Sequence, residues 1–353
     1  MIPNNFKLIF EAITGSNLYG TSTEESDMDI RGVFIPSKEY FYGFLNTISL
    51  KDYEDKENDK AYYDIRSFMK LLLANNPTVL EFLFIPKKLW RVRSKEWIEI
   101  VSVRDSIVSK LCADTFIGYA NEQLKRIKRH RSWLLNPPKE YPTREKYGLP
   151  SNHSLIPKDQ IGAFNKLLSL YLQQIGKFHE LREQLESMEE FVSFISLTQN
   201  LKEPDYEAIK ILMPISDNFI EALDKEKAYM NAMREWKSYQ NWKNNRNPAR
   251  AKLEEKFGYD LKHATHLYRL LSEGDEVLSD GNITFPRPDV EILRYILSGN
   301  ISYDELISIT NDQTNELKEL KKHSFLIEKP DKELLDKLCI LIVSSYLTKE
   351  VNK

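Results

Sequence analysis

Two regimes of apolar and polar patterning divide the chain. Up to about residue 105 the apolar stretches are short. KLIFEAI (7–13) and DIRGVFI (29–35) are rich in apolar and β-branched residues and predict buried strands. NTISLK (46–51) and AYYDI (61–65) predict two more. Between the first pair lies a Gly-, Ser- and Thr-rich segment, which predicts a turn and a helix start. KDYEDKENDK (51–60) reads as a polar hairpin tip. RSFMKLLLANN sets Phe68, Leu71 and Leu72 at helical spacing and ends at Asn76-Pro77, where a helix has to stop. TVLEFLF predicts a further short helix. Beyond about 105 the pattern is that of long helices, over roughly 105–135, 157–188, 204–211, 216–256 and 259–273. NPPKEYPTREKYGLP (136–150) interrupts them as an irregular excursion. The pattern predicts a small α/β domain over 1–105 and a mostly α-helical region over 106–353.

Composition narrows the functional classes. At 353 residues, with 41% hydrophobic and 29% charged residues, the chain has the balance of a folded protein with a sizeable core. Its 50 Lys and Arg nearly balance 53 Asp and Glu, for a formal charge of −3. That excludes a uniformly basic coat but leaves room for a local basic face. Cys112 and Cys339 are the two cysteines and are too few for a disulfide framework or a cysteine-rich zinc site. No basic leader followed by a long apolar run is visible, and no stretch reaches the ~20 apolar residues that span a bilayer. These features predict a cytoplasmic protein with no membrane partner.

The chemistry is concentrated in Gly15-Ser16 and the following Ser26-Asp27-Met28-Asp29-Ile30-Arg31-Gly32. Asp27 and Asp29 stand two apart at the head of a predicted strand, so their carboxylates share a face. Like charges held together resist joint ionisation, and a divalent cation relieves that cost. Mg²⁺ favours oxygen ligands, commonly one or two carboxylates plus substrate phosphates. Gly15 permits close approach of a phosphate, and Ser16 offers a hydroxyl and an N–H at a helix start; Ser16 also has the chemistry of a helix N-cap. Arg31 lies on the aspartates' face, either for a phosphate or to pair with Asp27 or Asp29. Tyr19 is placed either to stack on a base or to pack in the core.

This segment resembles the signature of the DNA-polymerase-β-type nucleotidyltransferases: a Gly-Ser pair, a short helix, Asp-x-Asp on a strand, and a third acidic residue on a later strand. GSNLYGTSTEESDMDIRGVFI is similar to a narrower group, the RNA-repair-pathway polymerase-β family of bacteria and their phages. YYDIRSFMKLLLANNPTVLEFLF resembles that family's third-carboxylate strand, helix and Asn-Pro-x-x-x-Glu segment, which contains Glu81. DLKHATHLYRLLSEGDEVLSDGNITFP resembles its C-terminal Lys-His-x-x-His-x-x-Arg-Leu helix and the hairpin that follows. The resemblance implies a polymerase-β-like catalytic domain with a mixed sheet over 1–105, and a helical domain over 106–353 that binds nucleotide and acceptor. It implies that Asp27, Asp29 and Asp64 hold two Mg²⁺ ions, with Mn²⁺ as a substitute. Asp64 would position or deprotonate the attacking hydroxyl, with helix capping as its alternative role. Gly15 and Ser16 would hold the triphosphate of an NTP. The implied reaction moves a nucleoside monophosphate to a hydroxyl and releases pyrophosphate. The implied acceptor is an RNA end, such as a damaged tRNA, in a bacterial or phage-infected cell.

Further groups could serve such a substrate. Residues 122–134 hold Lys125, Arg126, Lys128, Arg129, His130 and Arg131, with Trp133 at the end, a pattern for tracking RNA phosphates. The alternative is a solvated face paired with acidic helices. Trp236, Tyr239 and Trp242 interleave with basic residues over 236–256 and offer a second candidate. Lys262, His266 and Arg269 share a helix face at i, i+4 and i+7, where they could grip a triphosphate. His263 and His266 lack a third ligand at zinc spacing. Two other readings remain: nucleotidylation of a protein or small molecule, and a catalytically silent RNA-binding protein.

Overall fold

The computed structural model describes residues 6–43, 53–55, 59–162 and 217–351. The first predicted strand is β1 (Lys7–Ile13), followed by a short helix α1 (Gly15–Tyr19) and by β2 (Ile30–Ile35). A second short helix, α2 (Lys38–Tyr42), follows. The strand predicted at 46–51 lies outside the described residues. The polar stretch read as a hairpin tip instead contributes a strand, β3 (Tyr53–Asp55), which pairs antiparallel with β4 (Lys60–Asp64). A fifth strand, β5 (Trp90–Arg93), joins the edge beside β1. The sheet is mixed, in the order β3-β4-β2-β1-β5. Among the described strands only β2 and β4 run parallel, with Ile30 opposite Lys60 and Phe34 opposite Asp64.

Helix α3 (Ile65–Leu73) buries Ile65, Phe68, Met69 and Leu72 against the sheet. Asn76 caps α4 (Pro77–Leu80), which continues as a 3-10 turn over Glu81–Phe84. Helix α5 (Lys95–Ser102) sends Trp97 into the core, where it stacks on Phe10 with ring centroids 3.8 Å apart. Helix α6 (Leu111–Leu135) matches the prediction over 105–135 at its C-terminal end, while a 3-10 turn at Arg104–Ser106 takes its first residues. The helix predicted over 216–256 is two, α7 (Asp217–Asn245) and α8 (Pro248–Phe257). Pro248 cannot donate the hydrogen bond that continuity would need, but it suits the first turn of a new helix. Then come α9 (Leu261–Asp280), α10 (Val290–Leu297), α11 (Tyr303–His323) and α12 (Lys332–Val351). The predicted helix over 157–188 is described only as far as residue 162, where 158–162 are helical, and the one at 204–211 falls outside the described residues. Among the described residues, no helix is long and apolar enough to cross a membrane.

Two compact units divide the chain: residues 1–135 with 248–353, and residues 136–247. The boundary expected near residue 105 therefore falls inside the first unit. The reason is the core, which runs from Phe10 and Val33 through Ile107, Cys112 and Phe116 to Leu267 and Leu271. α9 is buried along most of its length and packs on α6, α10 and α11. In the second unit Arg144 makes a two-pronged ion pair with buried Glu226, at 2.7 and 3.1 Å, over a small cluster of Ile156, Ile161 and Leu223.

Asn75 ties the sheet side of the first unit to α6. It is fully buried at φ +45°. Its amide donates to the carbonyls of Leu72 and Ile107, and its oxygen accepts from Ser109 N–H and hydroxyl. Asn is among the few residues that tolerate left-handed backbone while offering both donor and acceptor. Asn75→Ala strands these buried partners and adds backbone strain. We expect it to lower the unfolding free energy by about 2–4 kcal/mol in denaturant titrations.

Candidate active site

β1 delivers the chain to α1, and β2 begins just after the two aspartates. One contact joins them. Gly15 has φ +63°, and a Cβ built on it would lie 2.0 Å from Asp29 Oδ2. Glycine is thus required twice, for the left-handed backbone and for the space the carboxylate occupies. Next to it, Thr14 N–H donates to the Asp29 carbonyl at 2.9 Å, extending the β1–β2 ladder past the last strand residue. Asn17 Nδ2 reaches the Asp27 carbonyl at 3.4 Å. The Gly-Ser turn and the Asp-x-Asp segment are therefore held face to face.

The carboxylates have little compensation. Asp27 is exposed, and among the described residues it has no ion-pair partner. Asp29 is half-buried, with Arg31 Nη2 at 3.6 Å from its Oδ1. Arg31 also donates to the carbonyls of Ile30 and Asp59 at 3.1 and 3.0 Å. Of its two expected roles, the structure shows Arg31 pairing with Asp29. Two hard oxygen donors with partial neutralisation fit a Mg²⁺- or Mn²⁺-type ion.

Asp64 does not join this pair. The parallel register sets it opposite Phe34, four residues along β2 from the aspartate end, or roughly 13 Å at strand spacing. It is 3% exposed and caps α3 by accepting Arg66 N–H at 3.0 Å, with the Arg66 guanidinium at 2.8 Å. The same register brings Asp59 beside Asp29. Asp59 is exposed at φ +46°, and its carbonyl accepts Ile30 N–H at 3.0 Å. A parallel register depends on long-range pairing, and a local reading of KENDKAYYD offers no signal for it.

The underside of α1 is a buried ionic network. Tyr19 hydroxyl donates to Glu81 Oε2 at 2.8 Å. Arg269, from α9, donates from Nη1 to Glu81 Oε1 at 2.6 Å and to Glu273 Oε1 at 2.8 Å, and its guanidinium lies 3.8 Å from the Tyr19 ring centroid. Burial raises the Tyr19 hydroxyl well above the usual tyrosine range. Burial also raises the Glu273 carboxyl, an effect that Arg269 opposes and neighbouring Glu81 reinforces. The expected triphosphate grip of Lys262, His266 and Arg269 is therefore split. Arg269 is 7% exposed and committed to Glu81 and Glu273, whereas Lys262 is exposed two turns away. Burial and nearby Arg269 push the His266 pKa down to about 3, so its ring is neutral near pH 7.

The basic helix also divides. Lys125, Arg126, Lys128 and Arg129 are exposed on α6, Lys125 pairing with Glu122. Arg131 turns inward to donate to the Gly258 carbonyl at 2.9 Å and lies over the Tyr303 ring. Trp133 is buried. His130 packs between Trp133 and His263, and burial and the neighbouring His263 push its pKa down to about 4. In the second unit, Trp236, Tyr239 and Trp242 pack on one another, with Tyr239 buried.

The family model for RlaP, the RNA repair pathway DNA polymerase beta family, matches the sheet, α1 and the aspartate segment. Residues 2–136 are the matched part of the chain. The RlaP match ends with α6, so α7 to α12 lie beyond it. An uncharacterized 38.9 kDa protein from the nrdC–mobD intergenic region of Enterobacteria phage T4 is 34% identical over 92 residues, 24% of this chain. The matched segment spans about a quarter, 27%, of that phage protein. No solved structure matches.

Gly15→Ala tests the contact at the centre of the site. The added methyl must displace the Asp29 carboxylate and strain the backbone by about 1 kcal/mol. We expect Mn²⁺ affinity, read by electron paramagnetic resonance, to fall about 10-fold or more with the circular dichroism spectrum unchanged.

Proposed function

We propose that this chain is a metal-dependent nucleotidyltransferase that moves a nucleoside monophosphate from an NTP to a hydroxyl of an RNA end. The observation that carries this is Asp29 packed on Gly15, with the exposed Asp27 two residues before it, in the region matched by the RlaP family. In the reaction the acceptor oxygen forms a bond to the α-phosphorus as the bond to the bridging oxygen breaks, and pyrophosphate leaves. Asp27 and Asp29 hold the divalent cation, which when bound supplies positive charge to the phosphate oxygens. Gly15 and Ser16 receive the phosphates of the NTP at the start of α1. Arg31 orients Asp29 by its contact at 3.6 Å and balances part of its charge. Asp59 takes the role first expected of Asp64, because it lies at the aspartate end of β4 and can accept the acceptor's proton. Glu81 and Arg269 act as positioning residues by fixing α1 from below.

The exposed Arg126, Lys128 and Arg129 of α6 favour RNA as the acceptor over a protein or small molecule. α6 packs in the same unit as the aspartates.

The test incubates the protein with Mg²⁺, each labelled NTP in turn, and RNAs that include intact and 3′-truncated tRNAs. We expect label in RNA, lost about 100-fold or more in Asp27→Asn and Asp29→Asn. Asp59→Asn lowers the rate about 100-fold, whereas Asp64→Asn, which keeps a capping side chain, stays within about 5-fold of wild type. Label on protein alone would refute the RNA acceptor. Full turnover in Asp29→Asn would refute the site itself.

A further inference from the structure

The fold assembles a second cluster of metal-ligating groups that sequence spacing did not reveal. His263 and His266, three apart, lacked a third partner in the sequence. The structure brings His130, from the far end of α6, against the start of α9. His130, Asp260 and His263 each offer a ligand atom, and these atoms lie within 4.8 Å of one another. We propose that these three residues form a site for a zinc-class divalent ion.

Each residue is prepared for that role by a contact on its other side. Asp260 is 4% exposed, and its two oxygens have separate tasks. Oδ1 accepts His263 N–H at 3.0 Å and caps α9. Oδ2 faces His263 Nε2 at 3.6 Å. Ligands around a tetrahedral zinc ion at about 2.0–2.1 Å stand roughly 3.3 Å apart, close to that separation. His263 Nδ1 lies 2.9 Å from Oε1 of buried Gln123. A carbonyl oxygen accepts, so Nδ1 carries the proton and the Nε2 lone pair points to the cluster. Such an outer hydrogen bond is how proteins fix the tautomer and orientation of a metal-binding imidazole. The His130 ring stacks on Trp133 at 5.6 Å between centroids and meets the His263 ring edge-on at 5.8 Å, which restricts its orientation.

The donor set selects the ion. Two neutral imidazoles and one carboxylate suit zinc or a similar transition metal, whereas Mg²⁺ and Ca²⁺ call for oxygen. Asp27 and Asp29 take no part, so the inference does not rest on the proposed reaction. A bound ion would pin the end of α6 to the first turn of α9.

The experiment uses the whole protein, stripped with chelator and kept in millimolar Mg²⁺ to occupy oxygen-rich sites. Zn²⁺ is then titrated by calorimetry, and Co²⁺ by visible absorption. We expect one Zn²⁺ per chain and a Co²⁺ spectrum with the intense visible bands of low-coordinate nitrogen and oxygen ligation. His130→Ala and His263→Ala should each weaken Zn²⁺ binding at least ~100-fold, and Gln123→Ala about 10–100-fold. His323→Ala, on α11, should leave it unchanged. Circular dichroism of the metal-free variants separates lost ligation from lost folding, and the wild-type Co²⁺ spectrum stands without any variant. Absence of Zn²⁺ binding by wild type, a Co²⁺ spectrum of six-coordinate oxygen type, or folded His130→Ala and His263→Ala variants with wild-type affinity would overturn the proposal.

Discussion

The contact on which the site depends is an absence: the missing side chain of Gly15. The Asp29 carboxylate occupies the space a Cβ would fill, and the Thr14 N–H to Asp29 carbonyl bond holds the two segments in register. Close packing makes this an all-or-none fit, since any larger residue moves either the turn or the carboxylate. The Gly-Ser turn and the Asp-x-Asp segment thereby become one rigid feature.

That feature needs support from below, and the helical layer provides it. α1 is five residues long and too short to be stable alone. Its Tyr19 is clamped by Glu81, and Glu81 by Arg269 of α9, with Glu273 as the second acid. The Tyr19 carbonyl accepts Arg287 N–H, and the Gly20 carbonyl accepts from the Arg294 side chain. Burying two acids around one arginine costs desolvation, and losing one partner leaves an uncompensated charge. The network therefore specifies position more than it adds stability. It also explains why the first unit includes residues after 248: the short helix under the site is built against them.

What the sequence made legible follows the range of the physics. The strands at 7–13 and 29–35, the helix start at Gly15 and the Asp-x-Asp pair rest on local periodicity and turn chemistry. The mixed sheet followed the family resemblance. β5 was missed because WRVR is a four-residue edge strand with two exposed arginines and too little alternation to register. The resemblance points to Asp64 as the third carboxylate, but only the parallel pairing of β4 with β2 decides which end of the strand meets Asp29, and that end carries Asp59. Arg269 looked free for phosphate because its acid partner Glu81 lies 188 residues upstream. Arg131 and His130 counted as part of a basic face although helix packing turns both inward.

The central claim is that Asp27 and Asp29 together hold a catalytic cation against the Gly15 turn. A crystal grown with Mn²⁺ and a non-hydrolysable NTP tests it most directly through the anomalous signal of manganese. The account predicts a peak about 2.2 Å from carboxylate oxygens of both aspartates, with the nucleotide phosphates beside Gly15 and Ser16. Nucleotide bound elsewhere, or manganese absent from the pair in a crystal that holds the nucleotide, would contradict it.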